Sequence, residues 1–220
     1  MEEPNTQIAD IGYCKVLSNR RGIFGFCSLV LSLTLWTFID TTLADKLQGD
    51  FGINSEIVSL IYAIQMAGFL VTSLLVHRAM TSYNPTLVIA IAFLIQTVAT
   101  FLTGPSYLLQ SFLPNTLPVI ISGLLLMGLA DSFTSIGAYT EMHDPFVSVN
   151  PGCDRDKLSD ILSGLYNAGF SLGTFIGPMV GSYLTIWYQS FRICSDYFAI
   201  ATLIFSVLLI VFVYMPLRNR

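Results

Sequence analysis

Six apolar runs, each long enough to cross a bilayer, divide the chain, with charges or turn residues between them. The first covers about 22–44, from Arg20-Arg21 to Asp45-Lys46. The second, about 55–76, is opened by Asn54-Ser55 and carries Glu56 in its first turn, where the helix dipole favours an anion. His77-Arg78 ends it. The third, about 86–103, lies between Asn84-Pro85 and Gly104-Pro105, and the fourth, about 117–140, follows Pro114-Asn115. A polar connector, Glu141–Lys157, precedes the fifth at about 158–183; the sixth, about 194–215, stops at Pro216 and Arg218. Helices of a soluble bundle would carry a charged face at the helical period, and runs three, five and six carry none. The pattern predicts an all-α membrane protein: a polar segment 1–21, a six-helix transmembrane domain 22–216 and a tail 217–220.

Charge fixes the direction. Lys15, Arg20, Arg21, Arg78, Arg155, Lys157, Arg218 and Arg220 fall on one side of such a bundle, and only Lys46 and Arg192 on the other. The positive-inside rule makes the rich side, with both termini, cytoplasmic. Only 11% of residues are charged, against about 25% in soluble domains, and no basic patch offers itself to nucleic acid. The apolar run after Arg21 is too long for a signal-peptide core, and Trp36, Phe38 and Asp40 occupy the place of a cleavage site, so the first helix is expected to be retained. Cys14, Cys27, Cys153 and Cys194 show no C-x-x-C pair and no metal spacing; with only Cys194 near the far side, no intrachain disulfide is expected. No Gly-rich phosphate loop, Ser/His/Asp constellation or His-rich ligand set is present, and His77 and His143 read as interfacial. Enzyme activity, a cofactor and a metal site are not expected.

Asp131 is the exception inside the spans. The sequence from Ala79 to Ala130 carries no charged residue, and then a carboxyl stands in mid-helix. At bilayer depth it costs about 2.5–3.5 kcal/mol on insertion scales, so it calls for a partner, water or a function. Met127, Gly128, Asp131, Thr134, Ser135 and Ala138 share its face, a small and hydrophilic stripe suited to a water-accessible cavity. Ser163, Asn167, Ser171 and Thr174 form a second polar stripe on the fifth helix. Gln65 and Gln96 sit mid-span and read as interhelical hydrogen bonders. Asp40, near the far end of the first span, reads equally as mouth-lining or interfacial. Glu56, Asp156 and Asp160 read as helix-start residues, and Asp154–Lys157 as a solvated connector. Gly169, Gly173, Gly177 and Gly181 recur every four residues and leave a flat face for close backbone approach, while Pro178 is expected to kink the helix.

The run Gly164, eight residues, Gly173, three residues, Gly177-Pro178, two residues, Gly181-Ser182 resembles the antiporter motif in the fifth helix of a six-helix half of the major facilitator superfamily, with Ser182 in place of the final glycine. Gly128-Leu129-Ala130-Asp131-Ser132 resembles the tenth helix of the vesicular amine and acetylcholine transporters, where Gly-x-x-Asp-Ser carries an essential carboxylate. Leu165-Tyr166-Asn167 through Gly181 is similar to their eleventh helix, including the polyamine branch; monoamine members have a second carboxylate where this chain has Asn167. Ile39-Asp40-Thr41-Thr42-Leu43 looks like the acidic-x-Thr-Leu end of the seventh helix, with Thr41 for the usual proline, and Leu113-Pro114-Asn115 echoes the loop before the tenth. In order, these motifs cover roughly Tyr13 to Pro216.

The resemblance implies the carboxy-terminal half, helices seven to twelve, of a twelve-helix carrier. The basic motif and arginine of an amino-terminal half are vestigial at His77-Arg78 and absent, respectively. A cavity between two halves then needs an amino-terminal six-helix half or a second copy as partner, besides the lipid bilayer. The implied activity is secondary transport of small organic cations in exchange for protons, across a vesicle or vacuole membrane in preference to the plasma membrane. Asp131 would couple to protons. Asn167, Ser163, Ser135 and Asp40 would line the substrate route, and Gly164, Gly173, Gly177, Pro178 and Gly181 would permit rocking. The alternative is a non-transporting six-helix scaffold or degenerate carrier half that binds a partner through its glycine face.

Overall fold

Each apolar run forms a helix because long unbranched and branched aliphatic stretches leave the backbone nothing but itself to hydrogen-bond with in lipid. The computed structural model describes residues 12–150 and 152–218. The expected amino-terminal segment therefore lies outside the described residues as far as position 11, as do the last two positions of the tail. A short α1 (Tyr13–Ser18) precedes six long helices: α2 (Arg20–Phe51), α3 (Ser55–Ser82), α4 (Pro85–Thr103), α5 (Leu117–Val149), α6 (Arg155–Tyr188) and α7 (Phe191–Leu209). A π-helical turn (Ile210–Tyr214) and α8 (Met215–Arg218) continue α7.

Helices outrun several expected spans. Asp45-Lys46 does not end the first, because nothing breaks the backbone until Gly52, which caps α2 in the left-handed conformation at φ 62°. α3 continues past Val76 to Ser82, and α6 runs through Pro178 to Tyr188, where Gln189 takes φ 50°. At the start of α4, Asn84 caps the Thr86 N–H at 3.0 Å. Asn54 makes no such side-chain bond at the start of α3. Asp154, read as a solvated connector residue, is the N-cap of α6 and accepts from the N–H groups of Asp156 and Lys157.

The largest correction is the connector Glu141–Lys157. α5 passes through Pro145 to Val149, so only a short link remains before α6. Glu141 is fully buried instead of solvated. It accepts from Arg21 of α2 at 2.7 and 2.9 Å, and from the Thr86 hydroxyl of α4 at 2.7 Å. A bidentate guanidinium–carboxylate pair with a third donor satisfies a charge that burial would otherwise penalise.

α5 is the central helix, packed against α2, α3 and α4, while α7 covers α4 and α6 lies along α2. At one end Phe38 stacks between Phe198 and Phe191, with ring centroids 4.1 and 5.6 Å away. At the other, Val16, Met142, Phe146 and Leu162 form a separate cluster. Leu60, Leu70 and Leu74 of α3, Phe175, Met179 and Ile186 of α6, and Ile204 and Phe212 of the last helix are exposed. So much outward apolar surface suits hydrocarbon, not water. Among the described residues, five helices are long and apolar enough to cross a membrane: α2, α3, α4, α5 and the run Phe191–Arg218. α6, at 34 residues, is as long; its charged first turns and its Ser, Asn and Gly content keep it out of that group.

The glycine face of α6 meets α2. A Cβ at Gly173 would stand 2.7 Å from the Val30 carbonyl oxygen and 2.8 Å from the Leu33 Cβ, and Gly177 and Gly181 lie as tightly against Thr34, Thr37 and Phe38. Gly164 instead faces the Tyr13 ring.

Two stability predictions follow from this packing. Gly173→Ala lowers the unfolding free energy in detergent by about 1–3 kcal/mol through overpacking. Gly49→Ala, in the same fold but with open space around it, raises it by up to about 1 kcal/mol through helix propensity; equal shifts in the two melting curves would contradict the close approach. Removing Arg21 strands a carboxylate with no exposure, whereas removing Glu141 leaves a guanidinium with 19% exposure that can turn to water. Arg21→Gln is therefore expected to cost about 3–5 kcal/mol and Glu141→Gln clearly less, measured by the same thermal unfolding.

Candidate functional site

The expected hydrophilic face of α5 turns inward. Asp131 has no solvent exposure, and Thr134, Ser135 and Ala138 are buried with it. Its Oδ1 accepts from the Ser32 hydroxyl of α2 at 3.1 Å and from the Gln96 Nε2 of α4. Ser32 also shares a hydrogen bond with Thr134 at 2.7 Å, and Gln96 Nε2 lies 3.2 Å from the oxygens of both Ser32 and Thr134. Ser135 reaches Ser32 at 3.4 Å. The carboxyl thus ties α2, α4 and α5 together.

That network is incompletely satisfied. Asp131 Oδ2, Gln96 Oε1 and both polar atoms of the Gln65 side chain are buried without a hydrogen-bond partner. No hydrogen bond of ordinary geometry joins Gln65 to the Asp131 carboxyl. The ion pairs among the described residues are Arg21–Glu141 and His143–Asp144, and neither involves Asp131. A membrane carboxyl whose only partners are neutral donors is cheapest when it carries a proton.

The second polar stripe behaves differently. Ser163 and Asn167 are exposed and line a pocket of about 440 Å³ with Ile136, Tyr139, Thr140 and Tyr166, between α5 and α6. Ile136 follows Asp131 by five residues, which is about 140° around a helix. The pocket and the acid therefore occupy opposite faces of α5. Ser135 belongs with the acid, not with Ser163 and Asn167. Asp40 joins neither group: it is exposed farther along α2, where the Tyr62 hydroxyl donates to its backbone carbonyl at 3.3 Å.

Ser32, Tyr139 and Tyr166 were not singled out from the sequence. Ser32 had a faint signal, since Ser28 and Ser32 are spaced one turn apart among aliphatic residues. The tyrosines had none, because an aromatic in a membrane helix more often meets lipid or a neighbour. Among the described residues no group of three or more His, Cys, Asp or Glu side chains is arranged to hold a metal ion.

The fold is all-helical, with a buried acid at mid-helix and a glycine-packed helix pair. The chain belongs to the major facilitator superfamily, whose family model matches residues 25–220. It is thus a multi-pass integral membrane protein of a transporter family, not of an enzyme family. No curated protein and no solved structure matches it.

Proposed function

We propose that the chain is a proton-coupled carrier of small organic cations, or the carboxy-terminal half of one, with Asp131 as the proton-binding group. The observation that carries this reading is the fully buried Asp131 carboxyl, held by Ser32 and Gln96 with one oxygen unpartnered and no cation against it. In this conformation the enclosed Asp131 holds a proton, and the substrate meets another surface.

That surface is the α5–α6 pocket. Tyr139 and Tyr166 supply ring faces that attract an organic cation. Ser163, Thr140 and Asn167 add neutral hydrogen-bonding groups. A pocket without a carboxylate binds its cation through rings and dipoles, which suits release. Asp40, exposed on α2, offers an anionic way station. α6 serves as the fifth of six spans, and its low hydropathy is what a helix facing an aqueous route requires. Both termini then face the cytoplasm, and an amino-terminal six-helix half or a second copy closes the open side of the pocket. An acidic vesicle or vacuole supplies the protons.

The scaffold alternative loses its binding surface. The glycine face that would receive a partner is filled by α2 of the same chain.

Proteoliposomes with an acidic interior, offered labelled monoamine, choline ester and polyamine, test the reading. The chain, supplied with its partner half if one is required, accumulates at least one class. Asp131→Asn abolishes accumulation driven by the proton gradient while retaining gradient-free exchange of the same cation. Undiminished gradient-driven uptake in the variant would remove Asp131 from the mechanism.

A further inference from the structure

At the end of the bundle opposite the Arg21–Glu141 pair, a cavity of about 360 Å³ is lined by Lys46 and Asp50 of α2, Thr185 of α6, and Ser190 and Arg192 around the start of α7. Lys46 stands out in it. The side chain is only 8% exposed, and its Nζ has no hydrogen-bond partner. The ammonium sits 5.3 Å from the centroid of the Phe191 ring, which screens one side and accepts none of its N–H bonds in the ordinary sense. A buried ammonium without acceptors is costly to keep.

The surroundings add positive potential. Arg192 faces the same cavity, spending its Nε and one terminal nitrogen on the carbonyls of Pro105 and Ser106 at 2.5 and 3.3 Å. It acts on Lys46 repulsively, against the attraction of Asp50. α7 begins at this point, 19 residues long, with Ser190 at its N-cap making no side-chain bond and no acidic residue in its first turn. First-turn N–H groups left open in this way attract anions. Asp45 and Asp50, both exposed, stand at the rim.

We infer that this cavity is a binding site for a phosphate-type oxyanion that carries a nearby ammonium, as in a phosphoethanolamine headgroup. The phosphate sits between Lys46, Arg192 and the α7 N-terminus, where charge-assisted bonds relieve the repulsion between the two cations. The ammonium meets Asp45 and Asp50. The exposed rings of Trp187, Tyr188 and Tyr197 beside it mark the depth of a membrane interface, where such headgroups lie. The site is independent of the transport reading, since it shares no residue with Asp131 or with the α5–α6 pocket.

Native mass spectrometry of the full chain in detergent, titrated with phosphatidylethanolamine, phosphatidylglycerol, soluble phosphoethanolamine and inorganic phosphate, tests the site. Phosphatidylethanolamine is expected to be retained by the parent and weakened at least about tenfold by Lys46→Gln, with Lys46→Arg restoring it. Asp45→Asn should erase the preference for phosphatidylethanolamine over phosphatidylglycerol while keeping phosphate binding. Binding of the lipid but neither soluble probe assigns a headgroup source; equal binding of soluble phosphoethanolamine assigns a free phosphoester, and both outcomes support the oxyanion site. Equal retention of every probe by parent and Lys46→Gln overturns it. Should that variant fail to fold, amine-reactive labelling of Lys46 in the parent decides: added phosphatidylethanolamine or phosphoethanolamine protects it, and an unchanged labelling rate refutes the site.

Discussion

The hydrogen bonds that Ser32 and Gln96 give to Asp131 are the constraint around which the bundle is arranged. A carboxyl at bilayer depth must be solvated by something, and here three helices supply the solvation. Serving it requires a serine in the leucine-rich first half of α2 and an amide in the most apolar stretch of α4. It also places Thr134 and Ser135 on the inner face of α5, where aliphatic residues would otherwise pack. The same requirement makes α5 the central helix. Midway along it Asp131 is met by neutral groups, and toward its C-terminal end Glu141 is met by Arg21 and Thr86. The two buried acids of α5 are thus handled in opposite ways: Glu141 keeps a full cationic partner, and Asp131 has none.

On the proposed reading, this arrangement separates proton from substrate across the width of one helix. The acid lies on the inner face of α5 and the tyrosine-lined pocket on its outer face. Beside it, α6 lies on α2 through glycines at four-residue spacing, a smooth contact able to slide because few side chains interlock across it. The aromatic stack of Phe38, Phe191 and Phe198 joins α2 to α7.

Much of the fold was legible because each signal was local. Apolar length marked the helices, and the four-residue glycine period marked a face for close backbone approach, though not the helix that meets it. Helix ends were less legible. A charged pair such as Asp45-Lys46 looks like a terminus, but charge does not break a helix; the backbone at Gly52 does. Glu141 was misplaced for a related reason, since a carboxylate followed by His143, Asp144 and Pro145 looks like a loop until Arg21, distant in sequence, arrives beside it. The site was half legible. Periodicity grouped Asp131 with Thr134 and Ser135, and Ser163 with Asn167, correctly in both cases. It could not say which way either stripe points, because a small polar face serves an aqueous cavity and an interhelical hydrogen-bond network equally well. Gln96 illustrates the point: read as an interhelical hydrogen bonder, it is one, and the group it serves is the acid.

The central claim is that Asp131 holds a proton inside a neutral enclosure. Infrared difference spectroscopy of the reconstituted chain against Asp131→Asn measures this directly. At neutral pH the account predicts a protonated-carboxyl carbonyl band that disappears in the variant and resists rapid deuterium exchange. A carboxylate band in its place, or a carbonyl band that shifts at once in heavy water, would contradict it.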